Sequence, residues 1–230
     1  MMRENLDNVR KNIRKACEAS NRSTMDVNLI AVSKTKPVEA IREIYDGGVR
    51  DFGENKVQEI LKKIDRLPKD IRWHMIGHLQ RNKVKDIINR VCMIHSVDSV
   101  ALAQEISKEG IRAGACMDIL LEVNISGEES KYGFTPQEIA AVTEQIASLP
   151  GVSVKGLMTV APYTENPEEN RVFFRKLKQL SVDINEKNID NVSMEVLSMG
   201  MTGDYEVAIS EGATHVRVGT GIFGERDYSK

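Results

Sequence analysis

Eight short apolar runs, each followed by a stretch of helical periodicity, constrain the fold of this 230-residue chain more than any other feature. The runs fall at 29–32, 49–53, 71–76, 91–95, 117–123, 152–157, 194–197 and 214–218. The helical patterns between them cover 37–46, 54–64, 80–88, 99–109, a segment capped by Thr135-Pro136 and running to 149, 167–182, 204–211 and a last turn at 219–223. Strict βα alternation demands a parallel sheet with helical crossovers. Eight such units in this length fit a (β/α)8 TIM barrel, usually about 250 residues. A doubly wound open sheet accepts the same pattern. With no Gly/Ser/Pro linker and no shift in composition, 1–230 reads as a single domain. An extra amphipathic helix over 2–20, carried by Leu6, Val9, Ile13, Ala16 and Cys17, precedes the first strand and is expected to close one end of the barrel. Gly47-Gly48 and Gly110 are expected to end helices.

Composition removes several classes of function. The net charge of −2 provides no field for nucleic acid. The charged N-terminus is not a signal peptide, and no apolar run is long enough to span a membrane. Cys17, Cys92 and Cys116 are odd in number and far apart. They argue for a reducing, cytoplasmic setting and for small buried roles rather than disulfides. No His-x-x-x-His or Cys-x-x-Cys spacing supports a metal site.

Chemistry is expected at the carboxyl ends of the strands. The first run, Leu29, Ile30, Ala31, Val32, has no alternation, as suits a strand buried on both faces. Lys34 follows it with the parity of Ile30 and Val32, and Pro37 then opens a helix. A lysine above a dry layer of branched side chains has a lowered pKa and attacks aldehydes well. The alternative is a rim lysine paired with a carboxylate. Lys36 shares the parity but lies beyond the strand and reads as more exposed.

The last two loops supply the counterpart. Ser198-Met199-Gly200-Met201-Thr202 and Gly219-Thr220-Gly221 are rich in glycine and hydroxyls, at the position where barrels often bind phosphate. Tight turns with Asp204 and Thr220 as helix caps are the alternative, which two such loops at the position the fold predicts outweigh. A reactive amine on one side and a phosphate cup on the other describe a site for pyridoxal 5′-phosphate, held as a Schiff base. Arg217 lies at lumen parity with His215 below the second loop. It could meet a pyridine nitrogen, which would then have to be an unprotonated acceptor, or take part in an interior ion pair.

Five motifs in order, Leu-Ile-Ala-Val-Ser-Lys-Thr-Lys-Pro (29–37), Phe-Gly-Glu-Asn (52–55), Trp-His-Met-Ile-Gly-His-Leu-Gln (73–80), Leu-Ser-Met-Gly-Met (197–201) and Val-Arg-Val-Gly-Thr-Gly-Ile-Phe-Gly (216–224), resemble the pyridoxal phosphate homeostasis proteins, over almost the whole chain. These in turn resemble the barrel domain of bacterial alanine racemase. The resemblance implies a fold-type III barrel with the cofactor on Lys34. It implies that Ser198, Gly200 and Met201, with Gly219 and Thr220, hold the phosphate. It also implies Arg217 near the ring nitrogen and Asn55 near the cofactor. The implied role is balance of vitamin B6 aldehyde and amino-acid pools without a defined catalytic turnover.

Racemases of this type resemble a barrel plus a β-domain whose partner copy supplies an acid/base tyrosine. The sequence given stops soon after the eighth run, so a two-base racemase is not expected. Holding the cofactor, with transfer to apo-enzymes, is the leading reading, for a monomer without nucleic-acid or membrane partners. A small racemase or decarboxylase of low activity is the alternative, and a barrel for another phosphorylated metabolite the third. Lys131, in the polar loop after the fifth run, reads as a solvated lysine or as a transient aldehyde acceptor.

Overall fold

The computed structural model describes residues 1–225; residues 226–230, included in the one-domain reading, lie outside the described residues. Eight parallel strands close into a barrel in sequence order. They are β1 (Asn28–Val32), β2 (Asp51–Glu54), β3 (Arg72–Met75), β4 (Met93–Val97), β5 (Met117–Glu122), β6 (Val152–Met158), β7 (Val192–Met201) and β8 (His215–Val218). Around them stand α1 (Met2–Ala19), α2 (Val38–Asp46), α3 (Val57–Ile64), α4 (Val84–Ile87), α5 (Val100–Ala113), α6 (Ile139–Ala147), α7 (Arg171–Asn185), α8 (Tyr205–Ser210) and α9 (Thr220–Phe223). The open-sheet alternative is excluded by β8, which pairs with β1 through Asn28↔His215, Leu29↔Val216, Ile30↔Arg217 and Ala31↔Val218.

Strand alternation divides the apolar residues into two sets. Ala31, Phe52, Trp73, Ile94, Ile119, Leu197 and Val216 join the core between barrel and helices. Met93, Leu120 and Met158 form a separate apolar cluster with Val160 and Val196 packed on it. Burying one such large side chain contributes about 1.5–3 kcal/mol.

Several elements differ from their sequence patterns. Gly110 does not end α5; a Cβ there would lie 2.7 Å from the Gly151 carbonyl oxygen, so close packing requires the glycine. The helix ends at Gly114, whose φ of 63° is left-handed. The segment 80–88 divides into a 3-10 turn, Arg81–Lys83, and the single turn of α4. Thr135 Oγ1 accepts from the Glu138 amide at 3.3 Å, closing a turn before α6 begins at Ile139. Residues 198–201 continue β7 rather than form a loop. Cys17 is buried, but Cys92 and Cys116 are exposed, contrary to the expected small buried roles. Both directly precede strands, at the amino-terminal rim of the barrel.

α1 does not lie across a barrel end. It runs down the outer ring beside α2, α8 and α9. Asn5 donates to the Ile222 carbonyl near its start, and Arg22 donates to the Ile209 and Ala213 carbonyls beyond its end.

Gly156, paired with Val196, allows β6 and β7 to approach: a Cβ there would stand 1.8 Å from the Val196 oxygen. Gly156→Ala is expected to cost about 3 kcal/mol in urea denaturation. Gly114→Ala, with open space around its Cβ, costs only the left-handed strain of about 1 kcal/mol.

Candidate functional site

A cavity of about 490 Å³ opens at the carboxyl ends of the strands. Val32, Lys34 and Lys36 line it from the β1 side, Asn55 and Ile76 from the ends of β2 and β3, and Val160 from the end of β6. Met201, Thr202, Gly203, Arg217, Gly219, Thr220 and Gly224 complete the wall.

Lys34 sits in a turn just past β1, not on the strand itself. The Lys36 amide donates to the Ser33 carbonyl at 3.0 Å, and Thr35 has a φ of 64°. A buried ion pair supports this turn from the helix side. Lys63 Nζ lies 2.8 Å from Glu54 Oε1 and donates to the Ser33 carbonyl at 3.0 Å. The Ser33 hydroxyl donates to Glu54 Oε1 at 2.7 Å. Glu59 adds a second carboxylate 2.9 Å from Lys63 and is also held by the Thr35 backbone. Burial pushes the Glu54 carboxyl above its ordinary range, against the pull of Lys63 and Ser33. Lys36 is half-buried rather than exposed; its ammonium donates to the carbonyls of Phe223 and Gly224 at 3.1 and 3.3 Å, tying the β1 turn to the end of α9.

Asn55 is fixed by close backbone packing. A Cβ on Gly77 would lie 2.6 Å from the Asn55 oxygen, and the Ser96 hydroxyl donates to the Gly77 carbonyl at 2.6 Å. Opposite, Asp204 stands at the N-cap of α8 but its side chain does not cap it: Oδ1 accepts from the Met201 amide at 2.7 Å and Oδ2 from Asn170 at 2.8 Å. Thr202 Oγ1 accepts from the Gly221 amide at 3.2 Å, joining the two glycine-rich segments.

Six of the residues singled out in the sequence, Lys34, Asn55, Met201, Arg217, Gly219 and Thr220, therefore meet in one cavity. Ser198 and Gly200 stand behind it. Gly200, at φ 88°, would place a Cβ 2.6 Å from that of Ala208, so it serves the packing of β7 on α8. Ser198 is buried beneath Arg217, whose Nη1 donates to its hydroxyl at 2.5 Å while Nη2 donates to the Thr159 carbonyl at 2.8 Å.

From Ser198 a buried chain descends the lumen. His95 Nδ1 is 2.9 Å from the Ser198 hydroxyl, His95 Nε2 is 2.9 Å from His74 Nδ1, and His74 Nε2 is 2.9 Å from Asp51 Oδ1. Arg217 can only donate and ionised Asp51 can only accept. A one-way run of donors from Arg217 through Ser198, His95 and His74 to Asp51 satisfies every group. Burial holds His95 well below the usual histidine range and His215 down at about 4. Despite its burial, hydrogen bonds from His74 and Arg72 keep Asp51 below the ordinary carboxylate range. Burial pulls Arg217 to about 10, so it stays cationic at neutral pH.

Two features escaped the sequence reading. The helical spacing of Val57, Ile60 and Lys63 put a lysine on the buried face of α3, against Glu54 on the helix-facing side of β2. Glu122, at the end of β5, faces Arg217 and Asp98; burial, reinforced by Asp98, raises its carboxyl to about 7, against the pull of Arg217. Among the described residues, no cluster of three or more His, Cys, Asp or Glu could hold a metal, and no helix is long and apolar enough to cross a membrane.

This is a barrel of the alanine racemase class, with its candidate site at the strand ends. The sequence profile described as "Alanine racemase, N-terminal domain" matches residues 5–227. A "Pyridoxal phosphate homeostasis protein" of Aquifex aeolicus is 48% identical over 226 residues, 98% of each chain. The structure of PipY from Synechococcus elongatus, described as having PLP bound, superposes with a TM-score of 0.83 at 34% identity, covering 97% of this chain and all of that one. Alanine racemase of Clostridium difficile shares the fold at 15% identity and a TM-score of 0.77, with 99% of this chain covering 57% of that one. The chain belongs to the pyridoxal phosphate homeostasis protein family.

Lys63→Met, which leaves Glu54 buried without its ammonium, is expected to destabilise the fold by about 3 kcal/mol; adding Glu54→Leu should recover most of that in chemical denaturation. Glu122 titrates near neutrality in the fold but near 4.5 when unfolded. Its contribution to stability is therefore lost as pH rises between those values. Relative to the parent protein, Glu122→Gln should gain about 1.4 kcal/mol per pH unit over that interval, measured by urea unfolding at each pH. A pH-independent difference would mean that Glu122 titrates normally.

Proposed function

We propose that the chain, acting as a single barrel domain, binds pyridoxal 5′-phosphate covalently through Lys34 and keeps the supply of this reactive aldehyde in balance. The carrying observation is that Lys34 shares one cavity with Arg217 and the joined segments around Thr202 and Thr220. The residues fit the group. A lysine amine lies on one wall and donor-rich glycine segments lie on another. A Cβ on Gly221 would come within 3.1 Å of Thr202, so the two segments close together only around glycine. The relatives' names and the PLP-bound PipY structure support the same reading.

When bound, the cofactor supplies an electrophilic aldehyde that amines attack reversibly. Lys34 provides the attaching amine, its turn held by the Glu54–Lys63 pair. Thr220 and Gly219 offer donors to the phosphate, while Met201 lines the cavity with its amide held by Asp204 and Gly200 keeps the segment packed. Asn55 would border the cofactor, and Arg217, held by Ser198, would meet its pyridine nitrogen. We assign the protein to the cytoplasm, as a monomer that passes cofactor to apo-enzymes. Lys131 belongs to an adjoining chamber of about 200 Å³, lined also by Glu122 and Val160. Its ammonium is held by Glu128 at 2.6 Å and the Val160 carbonyl at 3.1 Å, so any aldehyde acceptance there would require release from both.

A second reading, a racemase or decarboxylase of low activity, is favoured by Glu122 alone, as an acid/base near neutrality. The ultraviolet–visible spectrum of the purified protein, before and after borohydride reduction and with peptide mapping, tests the primary reading. The expected result is a bound chromophore mapped to Lys34 and absent in Lys34→Ala; an unchanged spectrum in that variant refutes the assignment. Turnover-linked Cα exchange of L-amino acids in deuterated water would favour the second reading.

A further inference from the structure

At the opposite mouth of the barrel lies a second cavity, of about 370 Å³. Four guanidinium groups line it: Arg10 and Arg14 from α1, Arg50 just before β2, and Arg72 at the start of β3. The one carboxylate among its lining residues is Asp51. Arg72 pairs with Asp51, and Arg50 Nε pairs with Asp70 at 2.9 Å. Arg10 donates to the Gly47 carbonyl at 2.8 Å, a bond that satisfies a donor without neutralising its charge. Arg10 and Arg14 are one helical turn apart on the same face, so their like charges stand together at the mouth. Ile13, Leu29 and Val49 provide an aliphatic floor beside them.

Like charges one turn apart on a helix repel, and four guanidiniums set against only the two carboxylates of Asp51 and Asp70 leave an excess of positive charge that an anion relieves. A guanidinium carries N–H donors in a planar fork suited to phosphate oxygens; Arg50 uses its Nε on Asp70 and its Nη1 on the Tyr45 and Val49 carbonyls and keeps Nη2, and Arg72 keeps Nη1 beside its pair with Asp51. Forks arriving from α1, β2 and β3 approach from different directions, as a tetrahedral oxyanion accepts them. The volume exceeds what a bare ion fills, and the floor is apolar. We propose that this amino-terminal cavity is a binding site for a small organic phosphate, held by Arg10, Arg14, Arg50 and Arg72, separate from the cavity at Lys34.

The inference does not depend on the cofactor reading. Calorimetric titration of the protein as purified with inorganic phosphate and with phenyl phosphate tests it. Saturable one-to-one binding is expected, tighter for phenyl phosphate because its ring covers the floor. Arg10→Gln with Arg14→Gln should weaken it at least tenfold. Arg14→Gln alone, on an exposed helical position, should weaken it several-fold with thermal unfolding unchanged, separating lost binding from lost fold. Absence of saturable binding overturns the proposal. So does equal affinity in the double variant, which would place the phosphate at the other end of the barrel.

Discussion

The pairing of β8 with β1 is the constraint on which the site depends. It closes the barrel and sets Arg217 beside Ile30 and Val218 beside Ala31. The chain on both strands then continues upward, so the turn carrying Lys34 and the segment of Gly219 and Thr220 emerge side by side. Residues 183 positions apart in sequence, Lys34 and Arg217, become walls of one cavity because a parallel barrel must return its last strand to its first. Lys36 reinforces the junction by holding the carbonyls at the end of α9. Asn5 holds another carbonyl of the same helix from the outside.

Closure also creates a difficulty, since a barrel this small has no water-filled channel and its lumen must satisfy its own polar groups. Here the lumen carries three histidines, a serine, an arginine and an aspartate. A donor run from Arg217 to Asp51 answers this, with Arg72 closing it at the lower rim. Arg217 is held from below by Ser198 and from the side by the Thr159 carbonyl, so its plane is set by the barrel rather than by whatever occupies the cavity. The buried Glu54–Lys63 pair performs the equivalent task behind Lys34, outside the barrel wall. In both places a charged group at the cavity is supported by buried polar groups behind it, neutral ones for Arg217 and an ion pair for the Lys34 turn.

Much of this was legible in the sequence because barrel strands announce themselves twice, by apolar runs and by the polar or glycine-rich residues that end them. The order of the strands, the end that bears the site and five of the cavity residues follow from that, while Asn55 enters only through the family resemblance. What stayed hidden depends on three-dimensional contact. Gly110 looks like a helix stop, but its meaning is the Gly151 carbonyl packed against it. Ser198 and Gly200 belong to a motif that suggests direct contact, yet strand geometry turns one under Arg217 and the other toward α8. The lumen chain could not be read because its members come from β2, β3, β4, β7 and β8, and sequence does not state which inward residues share a layer. α1 looked like an end plug because it precedes β1; the space beside α2 and α8 in the outer ring claims it instead.

The donors around Arg217 bear on what a bound pyridine ring could do. A guanidinium offers no acceptor, and at about 10 its pKa leaves it charged at neutral pH. On the proposed reading, a ring nitrogen facing it must itself accept a hydrogen bond and so remain unprotonated. Such a ring withdraws electrons less than one whose nitrogen is protonated beside a carboxylate, and it stabilises a substrate carbanion less. Reversible attachment of an amine to the aldehyde makes no such demand; it requires a nucleophilic amine and proton exchange near neutrality. On the proposed reading Lys34, which lines the cavity, would be that amine, and Glu122 holds a carboxyl raised to about 7 nearby. On that reading an arginine facing the ring would favour holding and releasing the cofactor over turning substrates over on it.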